Sequence, residues 1–329
     1  MACQGSARKS SRTVRPYSGV PVNLLESDFL IGANLPWASY GVDFGANAWC
    51  AEGGIGQPDR LSHLDATFER LSASGVRAVR WFLFCDGRAG IEFSASGRPM
   101  GLDAFIFRDI DAALSVAQRY GLRIIFVLLD FVMCDPVRIV KGVQLGGRSY
   151  LLQNPKARRA LFDRVLRPVF NRYGREHAIL AWDLINEPEW IRTLTSDQLY
   201  EYLSEAASVV RANASQPVTV GSAGARWRSF YQDLGLDFYQ VHWYDSLGGQ
   251  PALEKPVTEL GFDRPVILGE FPTSGSQRTP SEILDTAHAA GYAGAFYWSA
   301  LADDRSTDPA AAKLLSRSLV HGFTGALPF

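Results

Sequence analysis

Two glutamates stand where an apolar run breaks off into a loop. Glu187 closes the run in Ile179-Leu-Ala-Trp-Asp-Leu-Ile-Asn-Glu-Pro-Glu189, and Glu270 closes the one in Pro265-Val-Ile-Leu-Gly-Glu-Phe-Pro272. A carboxylate placed where a buried parallel strand runs out lies at the mouth of an α/β barrel, the face on which such folds carry their chemistry. Two of them reaching one point could flank a single glycosidic bond, one as acid and one as nucleophile. The pattern therefore predicts sugar-cleaving chemistry.

Each role asks something of the neighbours. An acid needs a pKa raised towards neutrality by partial burial and a second carboxylate. Glu187 has Trp182, Trp190 and Trp243 as candidate apolar surroundings, and Asn186 beside it can bond a sugar hydroxyl. A nucleophile must stay ionised, so Glu270 needs donors, and Arg80, His242 and Tyr244 are available at strand ends. Arg80 sits in Val79-Arg-Trp81, inside an apolar strand, where an unpaired charge would cost several kcal/mol; a carboxylate at the barrel mouth would offset that. Alternation puts His242 and Tyr244 on one side of their strand. Trp298 ends the last apolar run and offers a flat floor for a pyranose. Asp130, Trp37, Trp49, Asp43 and Trp190 are loop candidates for further subsites. His63, His177, His288 and His321 fall in helical or tail contexts without such company.

Eight short apolar segments could position these groups: 29–35, 76–84, 122–130, 179–185, 217–222, 237–243, 265–270 and 293–299. Near-continuous apolar strands alternating with helices mark a parallel sheet buried on both faces. Helical periodicity fills 60–74, 103–120, 155–173, 195–212, 279–290 and 301–319, and is thinnest at 226–234 and 251–260. Asn154, Thr195 or Ser196, and Thr279 offer N-caps, with Pro155 and Pro280 following two of them. The expected fold is one (β/α)8 barrel over 29–329, after a polar arm at 1–28. A doubly wound open sheet competes, but no glycine-rich phosphate fingerprint follows the first strand. The loops at 36–59 and 131–154 are long enough to wall the mouth.

Composition narrows the partners. The chain has 329 residues, 47% of them hydrophobic, and a net charge of -1, so nothing favours nucleic acid or an anionic membrane. The longest apolar run, 122–133, is too short to span a bilayer. Residues 1–28 lack the apolar stretch of a secretory signal, which suits a cytoplasmic protein or an exported one whose signal lies outside this chain. Cys3, Cys50, Cys85 and Cys134 do not make a disulfide scaffold; Cys85 and Cys134 follow strands that could be neighbours, as buried free thiols or as a bonded pair. No His-x-His or His/Asp cluster occurs at strand ends, so neither metal nor cofactor is expected. Composition suits a neutral partner, and with the two glutamates the expected one is an oligo- or polysaccharide.

With these residues in this order, the chain resembles the clan A glycoside hydrolases, and family 5 (cellulases and mannanases) in particular, over residues 29–300. Asn186-Glu187-Pro188 alone is moderately specific; the ordered set with Arg80, His242, Tyr244, Glu270 and Trp298 is strong. The resemblance implies that Glu187 is the acid/base, Glu270 the nucleophile and Asn186 a ligand of the sugar 2-hydroxyl. It also implies that Tyr244 and Arg80 hold Glu270, that His242 joins the hydrogen bonds near the carboxylates, and that Trp298 floors the subsite at the cleaved bond. Many members carry a histidine just beyond the third strand, where this chain reads Leu128-Leu-Asp-Phe-Val-Met-Cys134; mannanase-like members vary there. The opening Gly32-Ala-Asn-Leu-Pro-Trp-Ala-Ser-Tyr-Gly-Val-Asp-Phe-Gly45 is distinctive and has no substrate attached to it. The expectation is a retaining β-glycoside hydrolase, endo-acting on a β-1,4-linked mannan or glucan. The alternatives are an exo-acting β-glycosidase or transglycosylase on short oligosaccharides, a sugar-binding barrel without catalysis, and a metal-dependent barrel hydrolase.

Overall fold

A computed structural model describes residues 29–308. The polar arm at 1–28, Cys3 and His321 lie outside the described residues. So does most of the helix expected at 301–319, and its described part, 301–308, forms turns and bends instead.

Eight strands match the eight apolar segments: β1 (Leu30–Leu35), β2 (Ala78–Phe82), β3 (Arg123–Val127), β4 (Ile179–Asn186), β5 (Val218–Ser222), β6 (Tyr239–His242), β7 (Val266–Pro272) and β8 (Gly294–Trp298). They close on themselves, each parallel to its neighbours, with β8 pairing back onto β1. An open sheet would leave two edges; closure removes the doubly wound alternative. One face of each strand meets the helices and the other meets the barrel axis, which is why the segments read as continuous apolar runs.

The axis is layered. Leu30, Ala78, Ile125, Phe238, Ile267 and Phe296 plug the bottom of the barrel. Gly32 makes this plug possible, since a Cβ there would meet the Phe296 ring at 2.2 Å. Above the plug the interior turns polar, with Asn34, Arg80, Asp183, Gln240 and His242 all buried.

Local register matters at two strands. Between Asp183 and Asn186 the pairing of β4 with β5 slips, three steps on one strand against two on the other. In β7, Val241 and His242 of β6 pair with Leu268 and Glu270, so Gly269 is the extra residue. Such bulges turn side chains that strict alternation would point at the helices back towards the axis.

The helices include Pro58–Ala73, Ile106–Arg119, Ser196–Asn213 and Pro280–Ala289. Thr195 and Thr279 each close a capping box, and Asn154 accepts from the Lys156 and Ala157 amides. The helix expected at 155–173 carries a π segment, Phe162–Leu166, just before Pro168, whose ring and missing N–H disturb the preceding turn. The two thin segments come out short: Arg226 to Leu234 is split among 3-10 turns and Arg228–Tyr231, and only Val257–Leu260 of the other is helical. Two hairpins escape the sequence pattern. Ile91–Phe93 pairs with Pro99–Leu102 after β2, and Arg138–Val140 pairs with Val143–Leu145 after β3. Cys85 and Cys134 are buried free thiols, and Cys50 is free too. Among the described residues no helix is long and apolar enough to cross a membrane.

Candidate active site

Arg80 organises the polar layer. Its Nε donates to Asp183 Oδ2 at 3.0 Å, NH1 to Glu270 Oε1 at 2.7 Å and to Asn34 Oδ1 at 3.1 Å, and NH2 to Asn186 Oδ1 at 2.7 Å. A fully buried guanidinium thus has two carboxylates and two amide oxygens around it, which is the compensation a buried charge demands. Gly221 of β5 makes room for it; a Cβ there would lie 2.3 Å from Arg80 NH2.

Both glutamates reach the top of this layer. One oxygen of Glu187, one of Glu270 and a ring nitrogen of His242 all lie within 4.8 Å of one another. Glu187 leaves β4 in the left-handed region at φ 42°, its amide bonded to the Gly221 carbonyl. Such a conformation costs a non-glycine residue about 1–3 kcal/mol and re-aims its side chain. Its Oε1 lies 2.8 Å from His242 Nδ1, and its Oε2 accepts from Trp190 Nε1 at 2.9 Å. Glu270 Oε2 accepts from the Tyr244 hydroxyl at 2.9 Å.

Protonation follows from these surroundings. Burial lifts Glu187 from its ordinary 4.5 to about 7, against the opposing pull of Arg80 and the Trp190 bond. Burial also raises Glu270, but there the Arg80 charge and the Tyr244 hydroxyl act directly on the carboxylate. Of the two, Glu270 is the one equipped to stay ionised. Burial lowers His242 to about 4, so its ring is neutral where Glu187 titrates. Asp130 is likewise raised by burial, to about 7.

The remaining candidates divide. Trp37, Asp130, Asn186, Glu187, Glu270 and Trp298 line one cavity of about 350 Å³. Asp130 accepts from Asn186 Nδ2 at 3.2 Å and caps the turn after β3 through the Val132 amide. Trp298 Nε1 is held by Asp304. Trp190 lines a second trough of about 580 Å³, which shares Phe131 with the first. Four candidates are not brought into the cavity. Trp182 packs outside the barrel, stacked on Phe126 and edge-on to Phe170, and Trp243 belongs to the outer apolar core, because alternate residues of a strand face opposite ways. Asp43 is spent bracing the first loop, accepting from Trp81 Nε1 and the Ala38 and Ser39 amides. Trp49 donates to the Val140 carbonyl and ties that loop to a hairpin.

Glu187, His242 and Glu270 are also spaced so that they could clasp a cation. Arg80 already supplies a fixed positive charge 2.7 Å from Glu270, and His242 Nδ1 is engaged with Glu187. The donor set is that of a hydrogen-bonded carboxylate pair.

No protein-family model matches the sequence. Curated relatives do. A mannan endo-1,4-beta-mannosidase of Mytilus edulis is 26% identical over 320 residues, covering 82% of this chain and 83% of its own length. One of Cryptopygus antarcticus is 24% identical, with 82% of this chain and 80% of the relative covered. Among solved structures, the beta-mannanase from the blue mussel Mytilus edulis matches with a TM-score of 0.76 at 22% identity, covering 92% of this chain and 94% of that one. The endo-1,4-beta-mannanase from Eisenia fetida matches with 0.75 at 22%, covering 88% and 91%. The chain is a glycoside hydrolase and fits the family 5-like enzymes of clan A.

Sequence reasoning misses several groups that serve this glycoside hydrolase. Asp183 holds Arg80 from below and accepts from Gln240 Nε2 and the Gly221 amide. A charge inside the apolar run Leu180-Ala-Trp-Asp-Leu184 is the same signal that marked Arg80. Glu189 is half-buried and pins the loop after β4 to β5, through Ser222, Ala223 and Tyr231. Tyr40, within the distinctive opening segment, and Arg88 also line the cavity, and the type of neither residue marks it for the site.

Proposed function

We propose that this glycoside hydrolase is an endo-acting, retaining β-mannanase that cuts β-1,4-linked mannan by double displacement. One observation carries the mechanism: an oxygen of Glu187 and an oxygen of Glu270 lie within 4.8 Å of each other. Retention asks for carboxyl groups about 5 Å apart, whereas inversion needs roughly 6.5–9.5 Å to admit a water between them and the sugar.

In the first step Glu270 Oε attacks the anomeric carbon while Glu187, protonated because burial holds its pKa near 7, gives its proton to the departing glycosidic oxygen. The C–O bond to the leaving sugar breaks as the ester to Glu270 forms. Glu187, now ionised, takes a proton from water. The hydroxide oxygen displaces Glu270 at the same carbon, and the glutamate returns as carboxylate. Arg80 and Tyr244 hold Glu270 for in-line attack and receive its charge back. Asn186, with its oxygen fixed by Arg80 and its NH2 shared with Asp130, presents the remaining N–H to the 2-hydroxyl. Trp298 supports the reacting ring.

The substrate rests on the relatives, named as enzymes that act on mannan. The endo mode is supported by two adjoining hollows, one at the carboxylate pair and one beyond Trp190, on the side of the acid that meets the leaving group.

The deciding experiment follows mannohexaose hydrolysis by NMR. The first anomer released at the new reducing end should be β, with internal bonds cut and products of several lengths. An α anomer first would overturn retention; cleavage of β-glucan with mannan untouched would overturn the substrate.

A further inference from the structure

Beyond Asn34, the opening segment at 36–45 takes no part in the chemistry described above, yet several side chains brace it. From it we infer that Tyr40 is a stacking platform for a glycone sugar beyond the one that reacts, and so sets how the polysaccharide is registered across the catalytic pair. This rests on the β-mannanase reading and names one subsite within it.

Tyr40 lies at the tip of a turn after β1 and lines the cavity that holds the two glutamates. It is 51% exposed, although the loop that carries it is braced by Asp43. The Arg88 guanidinium covers one face of its ring at 4.5 Å from the centroid, and the Trp37 indole meets it edge-on at 4.7 Å. A ring backed by a guanidinium, braced by an indole and still half exposed at the cavity offers the CH side of a pyranose a rigid apolar surface at little entropic cost.

The backing is itself fixed. Asp86 grips Arg88 through Nε at 2.8 Å and NH2 at 3.0 Å, and Asp86 also accepts from the Gly146 amide of the loop after β3. Gly41, in the left-handed region at φ 68°, lets the chain close over the Arg88 stem; a Cβ there would sit 2.8 Å from Arg88 Cδ. Asp43 holds the base of the turn through the Ala38 and Ser39 amides and reaches back to Trp81. Three loops therefore converge to hold one exposed ring.

Its side of the cleft follows from the barrel order. β1 pairs with β8, whose Trp298 supports the reacting sugar, whereas Trp190 stands after β4 and bonds the acid that meets the leaving group. Tyr40 is thus on the glycone side and Trp190 on the aglycone side. A ring touching a remote sugar contributes binding alike in ground and transition states, so its loss should appear in KM and in cleavage register before kcat.

The test compares wild type, Tyr40→Phe and Tyr40→Ala on mannotriose to mannohexaose, with mannopentaose labelled at the reducing end. Tyr40→Ala should lose about ten-fold in kcat/KM on the longer oligosaccharides, mostly through KM, the size of one lost stacking contact. Its cut in mannopentaose should shift so that the product from the non-reducing end is shorter, while Tyr40→Phe keeps the wild-type pattern and both variants keep the wild-type melting temperature. Unchanged KM and register in Tyr40→Ala would overturn the inference, as would an equal loss in Tyr40→Phe. A wild type that cleaves cello-oligosaccharides but not manno-oligosaccharides would overturn the mannan reading alone, with the same comparison then deciding Tyr40 on the cello series; a wild type inert on both would overturn both.

Discussion

Glu187 Oε1 and His242 Nδ1 are 2.8 Å apart, and burial drives the two groups in opposite directions, Glu187 up to about 7 and His242 down to about 4. Below about pH 7 the titrating proton of the pair therefore belongs to Glu187 and not to His242, whose ring stays neutral. The histidine serves as a neutral partner and not as a competing cation.

The rate should follow this proton. Activity falls as pH rises through about 7, because ionised Glu187 cannot protonate the leaving group. Trp190→Phe removes a donor that favours the carboxylate, so the alkaline limb should move up by about half a unit. A pH profile of kcat/KM checks it, and a limb that stays put or moves down would remove Trp190 from the proton's control.

Stability should fall over the same range. Folding raises Glu187 from 4.5 and Asp130 from 3.8, each to about 7, so both favour the folded state while protonated. That contribution is complete below the unfolded values and is lost as pH climbs through the folded ones. Between pH 5 and pH 8 the melting temperature should drop by roughly 3–8 °C, and the Glu187→Gln/Asp130→Asn double variant should show a flatter slope. A wild-type melting temperature that rises over this interval would contradict the assignment of these buried acids.

Asp130 should act through Asn186. Asp130 Oδ2 takes one hydrogen of the Asn186 amide and so fixes where the other points. Asp130→Ala and Asn186→Ala should each lower kcat/KM by about ten-fold or more, with the double variant little worse than the single ones. Fully additive losses would mean that the two residues work independently. Asp130→Asn, which keeps an acceptor, should recover part of the rate.

Arg80 has no tolerable substitute. Arg80→Met leaves Asp183 and Glu270 buried without their cation, and should cost about 3–5 kcal/mol in denaturant unfolding. Gly221→Ala tests the same contact from the other side, since the new methyl would press on Arg80 NH2. It should reduce kcat by about ten-fold or more, as small misplacements of a site's supports do. Gly101→Ala, where a Cβ meets nothing within 4 Å, is the control and should be neutral.

Much of this molecule is legible in its residues. Eight apolar runs buried on both faces specify a closed parallel sheet, and local caps such as Thr195 and Thr279 mark helices whose partners lie three residues away. Arg80 could be paired with a carboxylate from burial cost alone. The reach of that reasoning ends where position depends on contacts distant in sequence. Trp182 and Trp190 are alike on paper; only the pleat of β4 sends one to the outer core, and only the turn beyond Glu187 brings the other to the acid.

The sequence by itself determined the barrel, the two glutamates at strand ends and the donors that would serve them, because strand burial and charge compensation are written in residue type. Tertiary structure decided which oxygen faces which partner. The slips in β4 and β7 turn Asn186 and Glu270 inward against simple alternation, and a left-handed φ aims Glu187 at His242. A bulge or a strained dihedral is selected by the packing around it, and no local pattern announces it.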